Sequence, residues 1–235
     1  MVLSKQDINN LRTEDDDGLR SNPNVCLIDY DSLVTNYGIL ESMRPVLAPN
    51  IVLIQSPYNT DLYEIGADAM YKFSVSKHVI VTQIFRLLVC RKLQVVQLDF
   101  EGTKVSRQLK IVAEHPELTA EFQRLSYNEK NLYSEVKLDE VYDGYKPKIQ
   151  QAYDYLKKHY LANDSNLKGL IEKRSDEDNK MQEYNFEVSL TQETKHTLEF
   201  LGKVSIPQFL VKLQANISST TENKTQYKVT YHAEF

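Results

Sequence analysis

Glycine is scarce in this sequence, and tryptophan is absent from it. Only seven of the 235 residues are glycine, roughly half of the ~7% found in an average protein. Phosphate-binding loops need glycine to bring backbone amides close to the ligand, yet neither GxGxxG nor GxxxxGKS/T occurs in the sequence. These absences exclude the usual ATP-, GTP- and dinucleotide-binding designs, and we expect no cofactor.

The sequence also has no excess of basic residues and no long hydrophobic run. Lysine and arginine number 28 against 33 aspartates and glutamates, which gives a formal net charge of −5. DNA and RNA binding needs a basic surface that releases counterions from phosphates, so nucleic acid is not an expected partner. The longest apolar stretch, residues 79–89, is interrupted by Thr82, Gln83 and Arg86 and is too short to cross a bilayer.

Cysteine is rare as well, and both cysteines lie inside apolar runs. We interpret Cys26 and Cys90 as buried thiols and not as a disulfide. Residues 1–24 have no continuous apolar region of the kind found in signal peptides, and they include an acidic run at 14–17. The sequence therefore predicts an intracellular protein, located in the cytoplasm or the nucleus.

Regular hydrophobic spacing is the main positive feature, and it is clearest near the C-terminus. Apolar residues occupy every second position in 186–190, 209–217 and 227–235, and a further strand is predicted through Leu198 and Phe200. A strict period of two is typical of an antiparallel sheet with one buried and one wet face. The buried face needs a cover, and helices are the obvious one.

Helical spacing and turn residues organise the rest of the chain. They predict helices over 32–43, 61–70, 76–92, 118–125 and 147–160, a strand over 51–55 and a hairpin over 96–112. The predicted fold class is α+β, an antiparallel C-terminal β-meander covered by helices, with an N-terminal mixed α/β portion.

Changes in composition suggest four segments packed as one compact unit. They are a flexible acidic tail (1–22), an N-terminal α/β portion (23–115), a helical middle segment with a charged connector (116–183) and the β-meander (184–235).

Two carboxylates follow an apolar run in "VCLIDYDSLV", at Asp29 and Asp31. This stretch resembles the first motif of phosphoryl-transfer enzymes of the haloacid dehalogenase type, and "IVLIQS", ending at Ser56, is similar to their second. The resemblance implies a Mg²⁺-dependent phosphatase that uses these three residues. It departs from the family where Gly-Thr is replaced by Ser32-Leu33. The alternative interpretation is structural: Asp29 ends a strand, and Asp31 or Ser32 caps the following helix.

Two sets of residues are candidates for a protein interface. The last strand is predicted to be a sheet edge that can pair with another chain through Tyr227, Val229, Tyr231 and Phe235. Tyrosines also surround the predicted helix 147–160 on more than one face. A helix that packs on one side only needs a single stripe, so Tyr142 and Tyr153 are assigned to an interface too. The alternative is a helix that is buried on several faces inside one domain.

These patterns favour a non-enzymatic protein-interaction or assembly subunit of an intracellular complex. No metal-ligand spacing surrounds the five histidines, and no GxSxG surrounds a serine. The expected partner is another protein or a second copy of this chain. The first alternative is the Mg²⁺-dependent phosphatase described above. The second is a membrane-acting protein that uses residues 214–233 as a β-hairpin, although we do not expect a membrane partner.

Overall fold

The computed structural model describes residues 1–13, 17–32, 40, 43, 45–101, 107–110, 127–137, 139–141, 146–176, 181–222 and 226–235. The chain forms two compact units, each made of two stretches that are distant in sequence. Unit 1 comprises Met1–Met70 and Glu193–Lys224, and unit 2 comprises Tyr71–Gln192 and Thr225–Phe235. The predicted helices at 118–125 and over most of 32–43 lie outside the described residues.

Unit 1 begins with ordered structure where the sequence predicted a flexible tail. Strand β1 (Val2–Leu3) pairs in parallel with β2 (Ile28–Asp29), and helices α1 (Lys5–Thr13) and α2 (Asp17–Arg20) lie between them in the chain. The Ser4 hydroxyl accepts a hydrogen bond from the Asp7 amide at 3.1 Å and so caps α1. The side chains of Val2, Leu3 and Leu11 are fully buried. Burial of these three apolar side chains stabilises this part of the chain.

A β-hairpin follows in the same unit, formed by β3 (Leu53–Ser56) and β4 (Asn59–Ile65). The strand predicted at 51–55 is thereby confirmed. The helix predicted over 61–70 is wrong, because residues 59–65 are a strand and helix α3 begins only at Gly66 and continues to Leu87. Hairpin pairing of Leu53 with Ile65 decides the conformation of this stretch.

Two segments predicted to be strands are helices. They are α7 (Gln192–Leu201) and α8 (Val211–Glu222). The buried positions are Leu210, directly before α8, and Leu213, Ile217 and Thr220 within it, while Val211 is 66% exposed. The spacing of three or four residues between buried positions is that of a helix. The apolar residues of 209–217 fit both the two-residue period of a strand and the period of a helix, and the buried side chains follow the helical period.

Unit 2 is built on an antiparallel sheet with the strand order β6-β5-β9-β8, and β7 pairs with the beginning of β5. The strands are β5 (Lys92–Glu101), β6 (Arg107–Lys110), β7 (Asp139–Val141), β8 (Glu183–Ser189) and β9 (Gln226–Glu234). The predicted hairpin is confirmed as β5 and β6, and β8 and β9 are strands as expected. The predicted meander joins successive strands directly, whereas in the structure α7 and α8 separate β8 from β9 in the chain.

Helices complete unit 2, and α3 covers one face of its sheet. The Phe85 ring lies 5.7 Å from the rings of both Phe186 and Tyr231 and 6.3 Å from that of Phe235. The remaining helices are α4 (Tyr127–Val136), α5 (Ile149–Lys158) and α6 (Ser165–Ser175). The predicted α+β class, with helices covering an antiparallel sheet, is therefore confirmed.

Helix length bears on the membrane question. Within the part of the chain that the structure describes, no helix combines the length and the apolar character needed to cross a bilayer. The hairpin predicted over 214–233 is also wrong, because residues up to Glu222 belong to α8 and β9 pairs with β5 and β8.

Candidate functional site

A groove of about 750 Å³ lies within unit 1. One wall is formed by residues 52–57, which contain β3, and the other by residues 23–26 together with Ile28. The floor comes from one face of α7, at His196, Thr197, Phe200 and Leu201. Its volume falls in the ~300–1,000 Å³ range of protein ligand sites. We call this groove the slot.

The slot runs along the edge of β3. Four consecutive residues of this strand, 53–56, all line it. Successive side chains of a strand point to opposite faces, so no single face could present all four. The slot therefore meets the strand at its edge, where backbone N–H and C=O groups point outward. Among the described strands, β3 pairs only with β4, so its other edge carries no strand.

The lining of the slot has no acidic or basic side chain apart from one histidine, and burial lowers the pKa of the Met1 α-amino group, which donates to the Cys26 carbonyl at 2.6 Å, to about 6. Among the described residues that form it, none is lysine, arginine, aspartate or glutamate, although these make up 26% of the chain. Apolar side chains such as Leu53 and Phe200 alternate with small or neutral polar ones such as Asn24, Ser56 and Thr197. Such a surface can solvate a neutral ligand but supplies no carboxylate, lysine or arginine side chain to pair with a charged one.

Hydrogen bonds across the hairpin hold the β3 wall in place. The Gln55 side-chain amide donates to the Thr60 carbonyl at 2.7 Å and to the Tyr63 hydroxyl at 3.0 Å. The Ser56 hydroxyl accepts from the Tyr58 amide at 3.2 Å, which closes the turn after Pro57. Because both ends of β3 are tied to the hairpin, its free edge is already in place before anything binds.

The two cysteines occupy opposite environments. Cys90 is buried, as predicted, whereas Cys26 is exposed and lines the slot, so its predicted burial is wrong. An apolar neighbourhood in sequence did not lead to burial, because residues 25–27 lie in an irregular segment at the surface. Burial raises the pKa of the Cys90 thiol to about 11.

Thiol labelling of the native protein should therefore modify one cysteine only. At pH 8 iodoacetamide is expected to alkylate Cys26, while Cys90 stays unmodified until the protein unfolds. A thiol with a pKa of about 11 is about 0.1% thiolate at that pH. Intact-mass measurement gives the stoichiometry, and Cys26→Ser should take up no label without denaturant. Fast labelling of Cys26→Ser under native conditions would contradict this assignment.

The predicted phosphatase residues take part in local turns. Asp29 accepts hydrogen bonds from the Asp31 amide at 3.1 Å and from the Ser32 hydroxyl at 3.0 Å, and so closes the 3-10 turn Tyr30–Ser32. Asp29 thus lies at the end of β2 and closes this turn, while the predicted helix that Asp31 or Ser32 would cap lies mostly outside the described residues. Ser56 lines the slot, but neither aspartate does. No group of three histidine, cysteine, aspartate or glutamate residues suited to a metal ion occurs in the described part of the chain.

The predicted interface strand is not an edge. Strand β9 lies between β5 and β8, with hydrogen-bonded partners on both sides. Tyr227, Val229, Tyr231 and Phe235 are all buried within the chain itself. The predicted edge is wrong because strands distant in sequence pair on either side of β9. Of the tyrosines, Tyr153 is half-buried on α5, and Tyr142 lies outside the described residues.

Sequence reasoning missed the slot. Its walls and floor come from three stretches, around residues 23–28, 52–57 and 196–201, which tertiary folding brings together. The floor helix was also predicted to be a strand, so its face could not be recognised. One local signal was available. The turn-forming residues of "SNPN" (21–24) directly precede the apolar run 25–28.

Comparison with known proteins adds no further constraint. No protein-family model, no curated protein and no solved structure matches this chain.

Proposed function

We propose that this protein is a non-enzymatic interaction or assembly subunit that binds a segment of a partner protein in the slot. The observation that carries the proposal is the chemistry of the slot, a formed groove of about 750 Å³ whose described lining has no acidic or basic residue except His196. Protein segments are the abundant cellular ligands that combine apolar side chains with neutral backbone amides. We place the interface here and not on β9.

The arrangement of polar groups supports binding of a polypeptide. A strand edge presents a row of backbone donors and acceptors, and polypeptide recognition commonly pairs such an edge with pockets for side chains. Phe200 on the floor is 36% exposed. Burial of an exposed aromatic ring is a frequent source of binding energy at interfaces.

The proposal also includes the cellular location of the protein. We place the protein in the cytoplasm or nucleus, where an exposed thiol such as Cys26 stays reduced. It acts there as a subunit of a complex.

Selection from a random octapeptide display library on the immobilised protein tests the function. We expect enrichment of uncharged peptides on the wild type and its loss on Phe200→Lys, which puts a charge on the slot floor. Val211→Lys is the matched control. It makes the same kind of change, an exposed apolar side chain to lysine, at a position of unit 1 that is 66% exposed and does not line the slot. No enrichment on the wild type, or equal enrichment on Phe200→Lys, would refute the proposal.

A further inference from the structure

The slot is a continuation of a gap that strand β1 already fills. On one side β1 pairs with β2, where the Ile28 amide donates to the Met1 carbonyl at 2.8 Å. On the other side the Val2 amide donates to the Ile51 carbonyl at 2.9 Å, and the Asn50 amide donates to the Val2 carbonyl at 2.8 Å. A strand therefore already lies between these two segments and bonds to both.

The walls of the slot are the stretches of chain directly adjacent to the two segments that bond to β1. Residues 23–26 lead into β2, and residues 52–57 follow directly on Ile51. Met1 itself lines the slot, so the slot lies in line with β1. The gap that β1 fills thus extends between residues 23–26 and 52–57, where it forms the slot.

We propose that the slot is a strand-addition site, in which an extended, uncharged segment of the partner lies in line with β1 and hydrogen-bonds to both walls. This inference rests on the proposed function and deepens it, because it specifies the conformation and chemistry of the bound segment. The four residues of β3 span ~13 Å, so about four partner residues are held between the walls.

The chemistry of the slot selects the side chains of the segment. Alternate residues of a bound strand point toward α7 and away from it. Those that face α7 meet Phe200 and Leu201, so apolar side chains fit there. Those on the other side can be small and polar. A lysine or arginine at a floor-facing position would lose water without finding an acidic side chain among the described lining residues, and is selected against.

Backbone N-methylation tests strand addition directly. The most enriched octapeptide is synthesised unmodified and with a single N-methyl group at each of its four central residues. Between two walls every backbone N–H of the segment points to one wall or the other. Each N-methyl group should therefore weaken binding by about 5–10-fold, as expected for one lost hydrogen bond. Affinity is measured by calorimetry on protein with no residues before Met1, because an added leader would itself lie at the slot.

Cys26 provides a second readout on the native protein. A peptide in the slot should shield this thiol, so peptide at ten times its dissociation constant should slow alkylation of Cys26 by about ten-fold. The unmodified peptide should protect, and the N-methylated peptides should protect in proportion to their lower affinity. Val211→Lys should behave as the wild type does.

The possible results separate the two proposals. If peptides bind and Phe200→Lys abolishes binding, but N-methylation has no effect, strand addition is wrong and the proposed function stands. Sensitivity at alternate residues only would overturn the two-walled geometry. If no library peptide binds the wild type, both proposals fail. Self-association in sedimentation velocity that is lost in Phe200→Lys would make the occupant a second copy of this chain and overturn the partner segment.

Discussion

Replacing Asp164 with alanine should destabilise unit 2 by about 3–5 kcal/mol. Its Oδ2 atom lies 3.2 Å from the Lys77 ammonium, whose side chain on α3 is fully buried, and the Asp164 side chain is itself only 11% exposed. Its Oδ1 atom accepts hydrogen bonds from the Asn166 and Leu167 amides at 3.0 and 3.1 Å and so caps α6. The substitution thus leaves a buried charge without this counter-ion and removes a helix cap.

Two further variants separate these contributions. Asp164→Asn keeps a capping oxygen and removes the charge, so it should recover the ~0.5–2 kcal/mol of the cap. Lys77→Met in the Asp164→Asn background removes the buried ammonium as well. It should be more stable than Asp164→Asn alone, because an apolar side chain of similar size needs no counter-ion.

An exposed ion pair of unit 2 serves as the matched control. Lys168 and Glu172 lie 3.9 Å apart on α6 with side chains 55% and 58% exposed. Lys168→Met should change the free energy of unfolding by less than about 0.5 kcal/mol. Urea denaturation followed by circular dichroism measures all four variants. Equal effects of Asp164→Ala and Lys168→Met would show that burial does not determine the value of these pairs.

Acidification from pH 7 to pH 4.5 should cost unit 2 about 2–3 kcal/mol through His78 alone. This side chain is 4% exposed, and its Nδ1 lies 2.7 Å from the hydroxyl of Tyr231, which is fully buried. Burial lowers the pKa of His78 from 6.5 to about 4. The unfolded chain therefore binds a proton at a higher pH than the folded chain does. Stability is fully present above pH 6.5 and is lost as the pH falls toward 4.

The double substitution His78→Leu with Tyr231→Phe is the control for this effect. It removes the titrating ring and the hydroxyl that would otherwise lose its partner, a loss worth ~1–3 kcal/mol for a buried group. The free energy of unfolding is measured for both proteins at pH 7 and pH 4.5, so that contributions common to the two proteins cancel. The wild type should lose about 2–3 kcal/mol more than the variant. Parallel pH profiles would mean that His78 does not stay neutral in the folded protein.

Local sequence signals determined much of the secondary structure. The alternation in β5, β8 and β9 and the apolar stripe of α5 agree with the elements in the structure. These stretches fit one period only, and burial of their apolar side chains reinforces it.

Residues 209–217 show where local signals were insufficient. Their apolar residues satisfy a period of two, yet Leu210, Leu213 and Ile217 also satisfy a helical period and are the residues that become buried. Which of two compatible periods is realised depends on the surface that the segment packs against. That surface comes from elsewhere in the chain, so only the tertiary structure decided it.

The sequence by itself determined the α+β class, the absence of glycine-rich phosphate loops and the low net charge, because composition and periodicity express these directly. Only the tertiary structure decided which strands are edges and which surfaces meet. Strand order places β9 between two partners and leaves an edge of β3 facing the slot. The same folding brings residues near 25, 55 and 198 together. Local sequence does not determine which strands pair, because backbone hydrogen bonds are the same for nearly all residue types. The packing of the whole core selects among the possible strand partners.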